Sequence, residues 1–277
     1  MKQSLFIPDQ NSSLNGETVW RWYQNVTEEI NLSFMFSKEK EYLVNYYKKA
    51  GLLRSWRKPF FRHHYSRTFA QALLFLLEPC RNSRILDLGC GTGTQSLLFA
   101  LLGADVVGVD LDEEALNILN KRKAFYEDRS GRKLKLRMYK ANSLELNYAN
   151  ISPIEGIYSM FAFNLMKPSR SLLEKIAPYT NNRCRLAILD GNNTSWLPRI
   201  FSSRQRPDCL SPLEFEDVLT YHSFDIVSHK AGFVLPPIFW LISPGNILRR
   251  IDGFLGGSWM LAISHQVLAE KNEREPS

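Results

Sequence analysis

The chain has 277 residues, of which 44% are hydrophobic and 23% charged, and its formal net charge is +7. This length and composition favour one large globular domain with its own core, and they exclude a small scaffold that depends on disulfides. The four cysteines show no CxxC spacing, which predicts reduced thiols and a cytoplasmic location, and we expect no signal peptide. No segment reaches the roughly 20 apolar residues of a membrane span.

The N-terminal part of the chain is predicted to be helical. Apolar residues such as Val19, Trp22 and Val26 recur at helical spacing, which predicts two helices between residues 17 and 50. A third helix is predicted from about residue 59 to residue 77. We therefore expect a helical extension over residues 1–58, a main domain over residues 59–271 and a disordered polar tail over residues 272–277.

Beyond residue 80 the predicted strands and helices alternate. Strands are predicted near residues 83–88, 105–109, 133–140, 154–161, 185–190, 224–233 and 259–269. Helices are predicted near residues 94–102, 113–126, 170–177 and 211–221. Such alternation indicates an α/β fold in which helices cover a mostly parallel sheet, and ligands then bind beyond the carboxyl ends of the strands.

A glycine-rich turn follows the first of these strands. Asp87 ends the apolar run and is followed by Gly89, Gly91 and Gly93, spaced two residues apart. The next strand ends in Asp110, and Asp112 is predicted to cap the helix that follows. A strand, a glycine turn, a helix, a second strand and an acid form the layout of a nucleoside-binding βαβ unit, because glycines let the backbone approach a ligand closely.

The motif from residue 86 to residue 93, Leu-Asp-Leu-Gly-Cys-Gly-Thr-Gly, resembles the first motif of class I S-adenosylmethionine-dependent methyltransferases. The resemblance extends over roughly residues 83–271. It implies S-adenosyl-L-methionine as cofactor, S-adenosyl-L-homocysteine as product, no metal, and a Rossmann-like seven-stranded sheet whose last strand is antiparallel. It also implies a set of cofactor-binding residues, namely Asp87, Gly89, Cys90, Gly91, Gly93, Thr94, Gln95, Asp110, Leu111, Asn142, Ser143, Met160 and Phe161.

Within this set, the resemblance places the Asp110 carboxylate on the ribose hydroxyls and Asn142 beside the adenine amino group. Asn142 has an alternative interpretation as an ordinary turn residue. For Leu111 and Phe161, the alternative is that they are core residues. For Gly89, Gly91 and Gly93, the alternative is a strand-to-helix turn that binds no ligand, which the presence of three alternating glycines disfavours.

No residue is predicted firmly to be catalytic. His63, His64 and Tyr65 are the candidates, because the corresponding region of related enzymes covers the cofactor; a solvated basic helix face is the alternative. His229 is predicted to be an ordinary surface residue of an edge strand, like His222 at a helix end. His265, in the last strand, is predicted to be structural.

The acceptor is predicted to be a small or lipid-linked molecule. Oxygen is predicted as the methylated atom, because it is the most common acceptor atom in enzymes of this kind. An apolar insert over residues 234–257, read as a lid over the sheet edge, could instead form a wall for a hydrophobic acceptor and contact a membrane surface peripherally. Basic runs at residues 48–67 and 121–140 leave RNA or DNA as an alternative substrate that is not favoured. A nicotinamide-dependent oxidoreductase and a non-catalytic cofactor-binding module are two further alternatives.

Overall fold

The structure is a computed structural model that describes residues 5–30, 37–50, 58–192, 210–231 and 264–272, with isolated positions 32, 35, 53, 247, 248, 250, 251 and 254. Most of the predicted insert over residues 234–257 lies outside the described residues, as does the tail from residue 273. No helix in the described ranges is long and apolar enough to cross a membrane.

Eight α-helices and seven strands are described. The helices are α1 (Gly16–Glu29), α2 (Ser37–Ala50), α3 (Lys58–Phe60), α4 (Ser66–Leu77), α5 (Thr94–Leu101), α6 (Glu113–Ser130), α7 (Ser169–Ile176) and α8 (Pro212–Tyr221). The strands are β1 (Arg84–Leu88), β2 (Asp105–Asp110), β3 (Leu136–Lys140), β4 (Ile154–Met160), β5 (Thr180–Gly191), β6 (Phe224–Ala231) and β7 (Ser264–Lys271).

The strands form one sheet in the order β3-β2-β1-β4-β5-β7-β6. Strands β3, β2, β1, β4 and β5 pair in parallel, and β7 runs antiparallel to both β5 and β6. The predicted Rossmann-like fold, with seven strands and an antiparallel last strand, is confirmed. The chain order reverses between β1 and β4, and this switch point is where open α/β sheets bind ligands.

Helices cover both faces of the sheet. One face carries α1, α4, α5 and α6, whose buried residues form a single apolar cluster with Ile85, Val106 and Tyr158. The other face carries α7 and α8, which pack on strand residues such as Leu86 and Ile188. Because consecutive strand residues point to opposite faces, the apolar residues of the strands supply both layers.

Local sequence signals set several helix ends. The Asp112 carboxylate accepts the Ala115 N–H at 3.1 Å and caps α6, as predicted. Ser211 and Glu214 form a reciprocal capping box at the start of α8. The helix predicted from residue 59 to residue 77 is instead divided, because a π-helical turn over Phe61–Tyr65 separates α3 from α4. π-turns occur often at functional sites.

Candidate active site

The glycine turn lies at the carboxyl end of β1, at the switch point of the sheet. The N–H groups of Gly89 and Cys90 both donate to the Val109 carbonyl, at 2.8 and 3.1 Å. The Gly91 N–H donates to the Asp110 carboxylate at 2.7 Å. The second strand of the βαβ unit therefore fixes the turn through both its backbone and its final acid.

Two of the glycines serve different purposes. Gly91 has φ +52°, and a Cβ there would stand 2.8 Å from the Tyr46 hydroxyl, among residues that line a cavity. Gly93 has φ +77°, and a Cβ there would lie 2.0 Å from the Leu119 side chain. Gly91 thus keeps the floor of the cavity clear, whereas Gly93 allows the turn to pack against α6.

A cavity of about 1130 Å³ opens above the turn. This volume exceeds the upper end of the usual range for small-molecule sites, roughly 1,000 Å³, so it has room for more than one ligand. Of the predicted residues, those that line it are Tyr65, Asp87, Gly89, Cys90, Gly91, Thr94, Gln95, Asp110, Leu111, Asn142, Ser143, Met160 and Phe161. Gly93, His63 and His64 do not belong to the described lining, and the His64 ring instead stacks on Phe60.

The structure bears on the alternative interpretations of Leu111, Asn142 and Phe161 as core or turn residues. Leu111 is 67% exposed, so its interpretation as a core residue is wrong. The Asn142 side chain accepts from the Leu144 N–H at 3.0 Å and donates to Glu145 at 3.2 Å, so it forms a turn as well as lining the cavity. Phe161 is half-buried, and its φ of +55° is rare for a bulky residue. Its ring lies nearly parallel to that of Tyr65, with 6.2 Å between ring centroids.

The described lining is aromatic and acidic. It includes the carboxylates of Asp87, Asp110 and Asp112 against the single cation of Lys167. Burial, with a contribution from the Asp110 charge, raises the pKa of Asp87 to about 7, although a 2.5 Å hydrogen bond from the Ser96 hydroxyl opposes the shift. Such a lining favours a ligand that carries positive charge.

Four tyrosines of the N-terminal helices line the cavity, namely Tyr23 from α1 and Tyr42, Tyr46 and Tyr47 from α2. The three tyrosines of α2 were not predicted from the sequence to belong to the site. Tyr42 donates to Asp112 at 2.5 Å, and Tyr47 lies 3.0 Å from the Thr92 hydroxyl. The helical spacing of the α2 tyrosines was visible in the sequence, but it does not indicate which element the exposed face of the helix meets.

The prediction that His229 is an ordinary surface residue is wrong. Its side chain is only 4% exposed, because β6 and α8 enclose it. The ring bonds to the Glu216 carboxylate through Nδ1 and to His265 Nδ1 through Nε2, at 2.9 Å for the second contact. His265 is completely buried and packs edge-on against Phe215. These groups lie on the α7–α8 face of the sheet, outside the described cavity lining.

Much of the basic run at residues 121–140 is neutralised within the chain. Lys121 pairs with Glu39, Arg137 with Asp105 and Lys140 with Glu113. Arg122 is fully buried with Glu29. The run therefore gives no support to a surface for nucleic acid, and its charge is largely used to attach α6 and β3 to their neighbours.

Comparison with known proteins identifies the family. A family model described as a methyltransferase domain matches residues 80–231, more than half of the chain. The chain is a class I S-adenosylmethionine-dependent methyltransferase. This membership excludes the nicotinamide-dependent oxidoreductase considered above.

The methyltransferase has relatives of known type. It is 28% identical over 175 residues to a ubiquinone biosynthesis O-methyltransferase of Roseobacter denitrificans, a match that covers 59% of this chain and 68% of that one. It is 30% identical over 109 residues to a probable S-adenosyl-L-methionine-dependent methyltransferase, TehB, of Haemophilus influenzae, covering 38% and 34% of the two chains. Its fold is similar to that of the plantazolicin methyltransferase BpumL in complex with SAH, with a TM-score of 0.53, 20% identity, and coverage of 91% and 99%.

The cofactor of the methyltransferase is S-adenosylmethionine, and the residues present fit it. The floor at Gly91 has no side chain where a Cβ would enter the cavity, which allows a nucleoside to approach the backbone. The three carboxylates and the aromatic rings of the lining suit a ligand that carries a sulfonium and an ammonium group, since both aromatic faces and carboxylates attract cations.

Proposed function

We propose that this methyltransferase O-methylates a hydrophobic small molecule that carries a phenolic hydroxyl. The observation that carries the proposal is the aromatic wall of the cavity, formed by Phe60, Phe61, Tyr65 and Phe161. Four of its ring pairs have centroids between 5.1 and 6.2 Å apart. Such a wall suits a flat apolar acceptor, because aromatic rings stack with one another. The ubiquinone O-methyltransferases among the relatives support the same chemistry.

The cofactor would occupy the end of the cavity nearest the glycine turn. In this proposal, Asp110 accepts the ribose hydroxyls, Asn142 and Ser143 lie beside the adenine, and Gln95 and Met160 approach the methionine part. Leu111, which is exposed at the rim of the cavity, would cover the adenine ring. The Gln95 amide lies 3.1 Å from the Met160 sulfur and 3.3 Å from the Tyr23 hydroxyl, so these three groups form one polar cluster.

The chain's own contribution is to hold the acceptor oxygen in line with the methyl group and to exclude water. When bound, S-adenosylmethionine supplies a methyl group on a sulfonium, whose thioether is the leaving group. Positioning of this kind can supply about 7–11 kcal/mol of the barrier. The phenol would lose its proton to solvent as it enters the cavity, and its oxygen would then form the new C–O bond as the bond between methyl and sulfur breaks.

The lining favours an acceptor that ionises readily. No histidine belongs to the described part of the lining, and burial raises the pKa of Tyr23, Tyr46 and Tyr65 above the ordinary value, so these hydroxyls stay protonated and do not take up the proton of the acceptor. A phenol loses its proton far more easily than an aliphatic alcohol and therefore needs less help from a base. A phenolic hydroxyl therefore fits this lining better than an aliphatic one.

We extend the proposal to lipid-linked acceptors. In this proposal the protein is cytoplasmic and binds such an acceptor while it contacts the membrane surface peripherally. Ile247, Ile251 and Phe254 are helical positions spaced four and three residues apart, and they are 52%, 43% and 88% exposed. Exposed apolar residues at this spacing are typical of an interfacial helix. The unpaired thiols of Cys80, Cys90 and Cys184 support a reducing compartment.

The test is a methyl-transfer assay with the purified protein and S-adenosylmethionine. Release of S-adenosylhomocysteine is measured with a catechol that carries a short prenyl chain, with the di-O-methylated form of that catechol, which has no hydroxyl left, with an aliphatic alcohol of similar size, and with total RNA. We expect turnover with the prenyl catechol alone. Turnover with the alcohol or RNA, and none with the catechol, would overturn the proposal.

A further inference from the structure

A completely buried ion pair lies directly behind the glycine turn. Arg122 of α6 and Glu29 of α1 have side chains that are 0% exposed. The guanidinium binds the carboxylate at two points, from Nε to Oε2 at 2.6 Å and from Nη2 to Oε1 at 3.0 Å. The Tyr126 hydroxyl donates to Oε1 of the same carboxylate at 2.6 Å. Arg122 lies within a basic run, so its sequence context suggested a solvated charge.

The third arm of the guanidinium reaches the turn itself. Arg122 Nη1 donates to the Thr92 carbonyl at 2.6 Å and to the Thr94 hydroxyl at 3.0 Å. Thr92 and Thr94 stand on either side of Gly93, and both line the cavity. One charged group, which lies outside the described cavity lining, therefore holds the backbone of the turn.

The N-terminal helices complete the same contact. Tyr47 of α2 bonds through its hydroxyl to the Thr94 hydroxyl and lies 3.0 Å from the Thr92 hydroxyl. Trp22 of α1 donates from its indole nitrogen to the Thr94 carbonyl at 2.7 Å. Both side chains are buried, so these bonds do not compete with water.

The carboxylate of Glu29 allows the Arg122 guanidinium to be buried behind the turn. A buried guanidinium without a partner is strongly unfavourable, and a neighbouring carboxylate with good geometry offsets that cost. Since Glu29 belongs to α1, the charge that supports the turn comes from outside residues 80–231, which the family model matches.

We propose that Arg122 is a positioning residue for cofactor binding, and that Glu29 and Tyr47 make the N-terminal helices an integral part of the S-adenosylmethionine site. Arg122 sets the backbone of the turn through Thr92 and Thr94, Glu29 neutralises its charge, and Tyr47 joins the turn to α2, whose tyrosines line the cavity. The inference rests on the cofactor assignment above and is independent of the acceptor.

The experiment measures the affinity for S-adenosylhomocysteine by calorimetry in the full-length protein, at a temperature well below each variant's melting point. The variants are Arg122→Lys, Glu29→Gln and Tyr47→Phe. Lysine keeps the charge but loses the planar fork that joins Glu29 to the turn. We expect the first two to weaken binding by about tenfold or more, and Tyr47→Phe by a smaller factor, about threefold, because it loses only neutral hydrogen bonds.

A purely structural role makes a different prediction. Leu219→Ala, in the buried face of α8 on the opposite side of the sheet, serves as the matched control: it should lower the melting temperature and leave the affinity unchanged. If the Arg122 and Glu29 variants are folded and bind within twofold of the parent protein, the proposal is overturned. If Arg122→Lys does not fold, Glu29→Gln and Tyr47→Phe decide the question. Failure of the parent protein to bind would contradict the cofactor assignment instead.

Discussion

At the scale of single residues, the clearest determinant of the site is the missing side chain at Gly91. Gly131, which ends α6, provides a matched comparison because it has a similar positive φ of +64°, yet a Cβ added there would meet no atom within 4 Å. Alanine at either site should cost about 1–2 kcal/mol in backbone strain. Gly91→Ala should in addition reduce the affinity for S-adenosylhomocysteine, since its Cβ enters the cavity.

Calorimetry and thermal unfolding of the two variants separate these effects. We expect similar losses of melting temperature and a loss of affinity of about tenfold or more for Gly91→Ala alone. Equal affinities for both variants would show that the cofactor does not approach this part of the turn.

The raised pKa of Asp87 predicts that cofactor binding depends on pH. Its pKa of about 7 means that the carboxyl group is largely protonated at pH 6 and ionised at pH 8. S-adenosylmethionine carries one more positive charge than S-adenosylhomocysteine, so it gains more from the ionised carboxylate. The ratio of the two affinities should therefore rise with pH, by up to about tenfold between pH 6 and 8.

Calorimetry in buffers of different ionisation enthalpy would also detect the proton that leaves Asp87 when the cation binds below pH 7. The Asp87→Asn variant, which cannot ionise, should show a ratio that is nearly constant with pH. An unchanged slope in that variant would assign the titration to another group.

At the scale of elements, the packing of β6, β7 and α8 buries two histidines in neutral form. Burial, together with the neighbouring His229, lowers the pKa of His265 to about 3. An unfolded histidine titrates near 6.5, so between pH 6.5 and 3 the unfolded chain binds more protons than the native chain. The stability due to neutral His265 is present above pH 6.5 and is lost as the pH falls, by at most about 1.4 kcal/mol per pH unit.

Urea unfolding between pH 4.5 and 7.5 measures this slope. His265→Asn removes the titration, and its free energy of unfolding should change less with pH than that of the parent protein. His222→Asn, at the half-buried end of α8, is the control and should keep most of the slope. If the His265 variant keeps the full slope, another group is responsible for the acid sensitivity.

The same elements show what the sequence could predict. The alternation of strands and helices, the Asp112 cap and the glycine turn are local patterns, and each predicted its structure. The burial of His229 and Arg122 depends on partners that are distant in sequence: Glu29 lies 93 residues from Arg122, and His265 lies 36 residues from His229. A polar residue in a polar stretch gives no local sign of such a partner, so its own sequence context indicates a solvated side chain.

At the scale of the whole molecule, the N-terminal helices and the sheet share one hydrophobic core. Trp22 and Val26 of α1 belong to the same apolar cluster as Leu97 of α5 and Leu119 of α6. The indole of Trp22 packs on the Tyr126 ring at 4.8 Å between centroids and donates to the Thr94 carbonyl. We therefore expect residues 1–58 and the main domain to unfold together, as one cooperative unit.

Trp22→Ala tests this expectation, because it removes a fully buried side chain from the junction. The lost burial and the cavity left behind should cost about 3–5 kcal/mol. If the core is continuous, urea unfolding followed by far-ultraviolet circular dichroism and by fluorescence should give a single coincident transition at a lower midpoint, and Trp22→Phe should show a smaller shift. If the extension were a separate unit, the variant would show two transitions, and the second would keep the parent midpoint. Cooperative loss of the whole domain would mean that the helices that complete the cofactor site also stabilise the sheet on which the site is built.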